Sequence, residues 1–389
     1  MITVETADNA LKSFYLDAVT DALDMKISPF LAKVQRTTSN VVGKDVKKLV
    51  RLGYNSGVGA GSEDGDLPKA KSGEFVQFTT SLKNIYGTIE ISDKAIRASA
   101  NNEGAFVNLL NDEMQSLVKS ASMHFGRMLF GNGDGRIATV AETLNNNYVV
   151  LESVSGITEG MLVDLRGPLG EEIEDSAGLT VLEVERPYKR IRLSGYPLNS
   201  TLLPKGSGVH LQGSYGYELT GLSAIFDMEN PLYGVDRTIS AMYPYIQDDV
   251  GAISAAIIEK AMDSLEEETG SKINLIICSW GVKRALVEAL KAEGVVLPTV
   301  EVEGQRALDF FGVPIITDRF CPKGTMYLLN TDDFKLHQLC DWQWLQGEDG
   351  KILKQVPGKP VYTATLVKYA ELMCERPCGQ GRLTGITEA

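Results

Sequence analysis

The first regular signal along the chain is helical. Between residues 5 and 34, Leu11, Phe14, Tyr15, Ala18, Ala22 and Leu23 fall on one stripe at helical spacing. Ser28-Pro29 interrupts that stripe, because proline removes a donor and restricts the residue before it. A helix with so narrow a stripe has to lie against another surface. From Val46 to Ile91 the period shortens. KDVKKLVRLGY and EFVQFTTSLKNIYGTIEIS read as two strands, and NSGVGAGSEDGDLPKAKSG between them is a polar tip dense in Gly, Ser and Asp. A long two-stranded ribbon is marginal alone, which predicts an arm lying on a partner.

The clearest helix follows, from Asn102 to Phe130. Phe106, Leu109, Leu110, Met114, Leu117, Val118, Ala121, Phe125 and Met128 keep i, i+3, i+4 spacing for roughly seven turns. Gly131, Gly133 and Gly135 stop it. Such a length predicts a structural spine. Residues 137 to 215 differ again: YVVLESV, GMLVDL, LTVLEVE, KRIRLSG and GVHLQG alternate, with glycine turns between them, as strands of a small barrel do. After Tyr217 the pattern is mixed α/β. Val250 to Thr269 is a predicted helix ended by Gly270, INLIICS a buried strand, and WGVKRALVEALKAEG a helix capped by Ser279 and ended by Gly294. VPIITD and TMYLLN are further strands. VYTATLVKYAELMCERP, long and rich in β-branched residues, is the predicted last ordered element and completes a sheet.

Composition narrows the choice of function. At 389 residues the chain has room for two or three compact units. The net charge of -13, from 38 basic and 51 acidic side chains, argues against a dedicated DNA-binding surface. It favours solubility at high subunit concentration, because like-charged copies repel. Cys278, Cys321, Cys340, Cys374 and Cys378 are odd in number and suit a reducing cytoplasm better than a disulfide framework. The opening MITVETADNALKSFYLDAV has no basic, apolar leader pattern, so no targeting peptide is expected. No apolar run approaches the ~20 residues that span a bilayer.

Catalytic chemistry finds no foothold. His124, His210 and His337 are isolated, and His124 falls on the spine as a packed or rim histidine. Cys374 and Cys378 have no second pair, and a structural zinc needs four ligands. FGNGDGR, residues 130 to 136, follows a helix and lacks the Gly-Lys-Ser/Thr ending of a phosphate loop, and GVGAG at 57 to 61 fails likewise. No GxSxG elbow occurs. Glu171-Glu172 and Glu266-Glu267-Glu268 read as solvated faces. The expectation is no catalytic, cofactor or metal site. Charge on the ribbon is more informative: Lys44, Lys47, Lys48 and Arg51 crowd its first strand, and Glu63, Asp64 and Asp66 crowd the tip. These are either two solvated clusters or an interface in which the acidic tip of one copy meets basic residues of another, setting register and docking rate.

In that order, these parts resemble a major capsid protein of tailed phages, the HK-ninety-seven-like family. FTTSLKNIYGTIEISDKAIRAS looks like the family's junction before the spine, and YELTGLSAIFDMENPLYGVDRT like its entry to the axial domain. The resemblance implies an α+β capsid fold: an N-terminal arm at 1–45, an extended β-ribbon loop at 46–90, and a peripheral domain with the spine helix at 91–136 and 311–389. An inserted barrel-like domain at 137–215 and an axial domain at 216–310 complete it. It implies a non-enzymatic subunit, made in a bacterial cytoplasm, whose hexamers and pentamers enclose double-stranded DNA in a virion without sequence-specific binding. Scaffold and portal proteins are expected partners, a decoration protein is an open one, and no membrane is involved. The barrel departs from the simplest members and its role stays open, as does covalent cross-linking through Lys69, Lys71 or Lys83. The alternatives are a cellular nanocompartment shell of the same fold and, from another class, an α/β enzyme with an accessory barrel.

Overall fold

A computed structural model describes residues 28–51, 57–64, 66, 69, 75–98, 103–144, 146–195, 201–295, 298–302, 305–348 and 350–389, with side chains of the spine helix from Asp112 onward. The helical stripe expected before Ser28 lies outside the described residues. The chain forms two compact units. One takes in the described residues up to Phe130 together with Leu222–Ala389, and the other is Gly131–Gly221.

The larger unit holds two sheets and the ribbon. In the five-stranded sheet, Val361–Cys374 is the central strand. It pairs antiparallel with Phe334–Trp344 on one side and with Lys83–Ser92 on the other, and Lys354–Gln355 extends it. Gln35–Thr37 adds a parallel edge strand to Phe334–Trp344. The spine is the helix Glu103–Met128, and Met114, Val118, Ala121, Phe125 and Met128 form its buried stripe. Gly87 sits where this helix crosses Lys83–Ser92. A Cβ there would lie 3.0 Å from Leu117 Cδ1, so a side chain would push the helix off the sheet. His124 faces the packed side of the spine; burial, then the charge of Arg127, push its pKa down to about 4 and keep it neutral.

The second sheet has seven strands in the order Tyr245–Gln247, Gly381–Leu383, Met326–Leu329, Leu275–Cys278, Val313–Thr317, Gln305–Phe310 and Thr299–Val302. Leu275–Cys278 is buried at every position, as a central strand covered on both faces must be. Helices Ala255–Thr269 and Trp280–Ala292 pack on the sheet through Ile258, Ala261, Leu265, Val282, Leu286 and Leu290. The Ser279 hydroxyl accepts from Val282 N at the start of the second helix, and Gly270 ends the first in the left-handed region. The first helix starts at Ala255 rather than Val250, with Ser254 before it.

Pro29 opens a short helix, Pro29–Lys33, because proline's fixed φ suits the first helical position. Two sequence expectations are corrected here. The long second ribbon strand divides at buried Leu82: Phe75–Ser81 stays in the ribbon, while Lys83–Ser92 joins the five-stranded sheet. Val361–Cys374 is not the last element either, since Gly381–Leu383 returns to the seven-stranded sheet, where Gly381 packs against Leu265 and Leu328.

The smaller unit is a closed barrel. Its strands run Arg190–Leu193, Tyr148–Leu151, Arg136–Thr143, Gly208–Leu211, Leu162–Arg166 and Leu179–Glu185 around the wall. Five were legible from alternation. Arg136–Thr143 was not, because it follows the glycine-rich stop of the spine so closely. Val140, Val149, Leu151, Val163, Val181, Ile191 and Val209 fill the interior, so the barrel encloses a packed core rather than a channel. His210 is buried with its ring 5.2 Å from that of Tyr215 in an edge-on arrangement, and burial lowers its pKa.

Candidate assembly surface

The ribbon is a three-stranded sheet of Val41–Val42, Asp45–Arg51 and Phe75–Ser81. Its register puts Val46 opposite Thr80, Lys48 opposite Phe78 and Val50 opposite Val76 in one row. Lys47, Leu49 and Arg51 face Thr79, Gln77 and Phe75 in the other. Period-two alternation therefore gives the ribbon two different faces.

The first face is fastened to the chain's own body. Val46 and Phe78 are fully buried, and the Phe78 ring lies 5.5 Å from that of Tyr233. Tyr233 and Gly234 both have positive φ and form a two-residue hairpin closed by paired Leu232 and Val235 hydrogen bonds of 2.9–3.0 Å. Left-handed backbone at a bulky residue needs compensation. Tyr233 has it: its carbonyl accepts from Thr79 N at 2.9 Å, its hydroxyl donates to Leu372 O at 3.2 Å, and the same oxygen accepts from Cys374 N at 3.0 Å. Burial holds the phenol protonated, well above the ordinary tyrosine range. Tyr233→Phe is expected to lower unfolding stability by about 1–3 kcal/mol, because it strands the Cys374 amide and the Leu372 carbonyl. Chemical denaturation checks this, and an unchanged midpoint would mean the hydroxyl does not pin the ribbon root.

Among the described residues nothing covers the second face at its apolar positions. Leu49 is 61% and Phe75 53% exposed, and the Arg51 guanidinium lies 5.6 Å over the Phe75 ring. Toward the tip, Val58 is 90% exposed. A sheet face on which leucine and phenylalanine stand between Lys47 and Arg51 resembles an interface more than a solvated surface.

The seven residues singled out by charge fall into two groups. Lys48 is already used: its ammonium is 3.1 Å from Glu375 Oε1, which Lys335 also meets at 3.1 Å. Arg51 is stacked on Phe75. Lys44, Lys47, Glu63, Asp64 and Asp66 are exposed, and none of these five makes an ion pair among the described residues. Among the described residues no ion pair joins the basic and acidic clusters. Reading charge alone missed Leu49 and Phe75, although KDVKKLVR places apolar residues on both faces of one strand, which is itself a sign of a partner.

The remaining chemistry stays dispersed. His337 is buried with Nδ1 3.0 Å from the Ser39 carbonyl oxygen, and burial lowers its pKa. Cys374 and Cys378 are free thiols raised by burial, Cys374 the more strongly. Among the described residues no group of three or more His, Cys, Asp or Glu could hold a metal.

Against known structures, the chain aligns with the capsid asymmetric unit of cyanophage A-1(L) over 93% of either chain, with a TM-score of 0.57 and 11% identity. The fold is that of a phage capsid subunit. Looser likenesses include a structure from Mycobacterium phage Adephagia, with a TM-score of 0.47, 9% identity and 93% and 91% coverage. An encapsulin complex from Synechococcus elongatus gives 0.46, 10% identity and 92% and 87% coverage. No family profile matches the sequence, and no curated protein does. The parts described above are a ribbon, a spine helix, two larger sheets and a barrel that follows the spine in sequence.

Proposed function

We propose that this chain is the major capsid protein of a tailed phage, a non-enzymatic subunit whose hexamers and pentamers close into a virion shell around double-stranded DNA. The observation that carries the reading is the ribbon's uncovered face, on which Leu49 and Phe75 are exposed in a chain with a capsid subunit's fold. Fold alone does not specify function, but an apolar arm face left uncovered among the described residues favours a partner that covers it. Repeated copies can do so, since heterologous contacts that close into rings use one pair of surfaces many times.

On this reading Lys44, Lys47, Lys48, Arg51, Glu63, Asp64 and Asp66 lie at subunit boundaries, with Lys48 held by Glu375 of its own chain at the ribbon root. Scaffold and portal proteins are the expected assembly partners. A net charge of -13 disfavours tight binding to the packaged DNA and leaves the genome able to move. No helix among the described residues is long and apolar enough to cross a membrane.

Negative-stain electron microscopy of the purified chain, produced with and without its neighbouring genes, tests the proposal. Closed shells or capsomer rings are the expected result, with nucleic acid inside shells taken from infected cells. Shells holding only protein cargo would favour a nanocompartment, and a compact monomer under every condition would refute assembly.

A further inference from the structure

The chain enters the barrel through residues 131–135 and leaves it through 212–221. The two connectors meet. Gly216 N donates to the Asp134 carbonyl at 3.2 Å, and a Cβ on Gly135, at φ +81°, would lie 2.7 Å from Ser214 O. His210 lies beside this junction. On its strand Val209 points into the barrel core, so Gly208 and His210 stand on the outer wall. An outer-wall side chain is ordinarily wet, yet His210 is 0% exposed. Its ring runs back over Gly208, where a Cβ would come within 2.4 Å of Nε2, so only glycine leaves it room. Tyr215, carried by the exit connector, closes over the ring edge-on at 5.2 Å.

Charged groups face the ring from each strand beside it. Arg136 and Asp164 flank His210 in the register of the wall, and Arg166 stands opposite Gly208. The Arg166 guanidinium lies 4.0 Å over the Tyr215 ring and pairs with Glu172 at 3.2 Å. Asp164 accepts from Gly178 N and Gly213 N at 2.7 Å each, and Asp134 faces Arg136 at 3.5 Å. Burial pushes the imidazole's pKa down, and Arg136 and Arg166 add to this against the charge and backbone of Asp134. The ring is therefore neutral at pH 7, and a proton on it would be a desolvated charge facing two guanidinium groups. We infer that His210 is an acid-operated latch on the barrel's connectors: on taking up a proton the ring leaves its place under Tyr215, and the junction between residues 131–135 and 212–217 opens. A ring released into water regains its ordinary value of 6.5, so the open form binds the proton more tightly than the closed one. Opening becomes easier as pH falls below 6.5, and the latch is fully closed above it. The device goes beyond the shell reading and does not depend on it.

Hydrogen exchange of the full-length chain, read by mass spectrometry at pH 7 and pH 5 with times scaled for intrinsic exchange, tests this. Amides of residues 131–136 and 212–217 are expected to lose protection at least about fivefold at pH 5, because each pH unit below the open-form value favours opening by up to about tenfold. Strands Tyr148–Leu151 and Leu179–Glu185 should keep theirs. His210→Gln puts a neutral side chain under Tyr215 and should make protection of the two connectors the same at both pH values. Equal protection in the wild type overturns the latch, as does a loss at pH 5 that survives in His210→Gln. Should that variant fail to fold, His124→Gln with His337→Gln leaves His210 as the only histidine of the three in the chain. Its ring signal by NMR must then titrate together with the loss of protection. A ring that takes up its proton while the connectors stay protected overturns the proposal.

Discussion

Asp341→Ala is expected to destabilise the larger unit by about 3–5 kcal/mol, whereas Lys368→Met, at the other end of the same ion pair, costs under about 1 kcal/mol. The asymmetry follows from burial. The Lys368 side chain is 0% exposed and that of Asp341 31%. Lys368 sits on the face of Val361–Cys374 that also carries Leu366, Ala370 and Leu372, beneath the spine helix. Its ammonium lies 5.0 Å from the Phe125 ring and 5.6 Å from that of Trp342, and it pairs with Asp341. Asp341 has further support: Arg36 Nη1 is 2.8 Å from Oδ2, and Trp342 N donates to Oδ1 at 2.8 Å. Burial pushes its carboxyl up, but Lys368, the Trp342 amide and Arg36 together outweigh that and hold it below the ordinary aspartate range. Removing the carboxylate takes from a desolvated ammonium the counter-charge of Asp341. Removing the ammonium leaves a half-buried carboxylate that keeps Arg36 and some water, around a methionine of similar volume. Urea unfolding of both variants decides it; equal costs, or a worse methionine variant, would contradict this account.

The second large effect concerns Asp318 and depends on pH. Asp318→Asn should leave stability unchanged near pH 4 and raise it by up to about 3 kcal/mol at pH 7. The carboxyl is buried, and desolvation pushes it up to about 6 despite hydrogen bonds from Phe320 N at 2.9 Å and from the Ser28 hydroxyl at 3.0 Å, and the charge of Arg319. Between its unfolded value and 6 the folded state binds more protons than the unfolded chain. Stability therefore falls as pH rises through that window and stays lower above it. Asparagine keeps the carbonyl for Phe320 N, and the Ser28 hydroxyl can turn to accept from the new amide. The site matters because Ser28 leads into Pro29–Lys33, whose Phe30 is buried between Phe130 and Phe334 at 6.3 and 5.3 Å. Denaturation midpoints of both proteins at pH 4, 5, 6 and 7 test this; a stability gain that does not vary with pH would show that the carboxylate is not the cause.

Much of the architecture was legible because it is local. The spine announced itself by seven turns of helical spacing and its glycine stop, and the barrel by five alternating segments. Ser279 and Gly270 stood at helix ends where capping chemistry puts them. The candidate site was half legible. Sequence put charge on the ribbon, but whether a lysine there is free or spent depends on Glu375, far along the chain, and only the fold brings that residue to Lys48.

What the sequence by itself determined is most of the longer elements, their order, and the scarcity of histidines, since periodicity, capping and composition act within a few residues. What only the tertiary structure decided is which strands share a sheet and which charges meet. EFVQFTTSLKNIYGTIEIS reads as one strand, yet Leu82 divides it between two sheets. Lys368 stands on the apolar side of its own strand's alternation, and nothing nearby explains it; its partner Asp341 is 27 residues away and Arg36 lies 305 from that aspartate. A β-sheet pairs segments without regard to their separation in sequence, and a buried charge persists only where that pairing delivers its counter-charge.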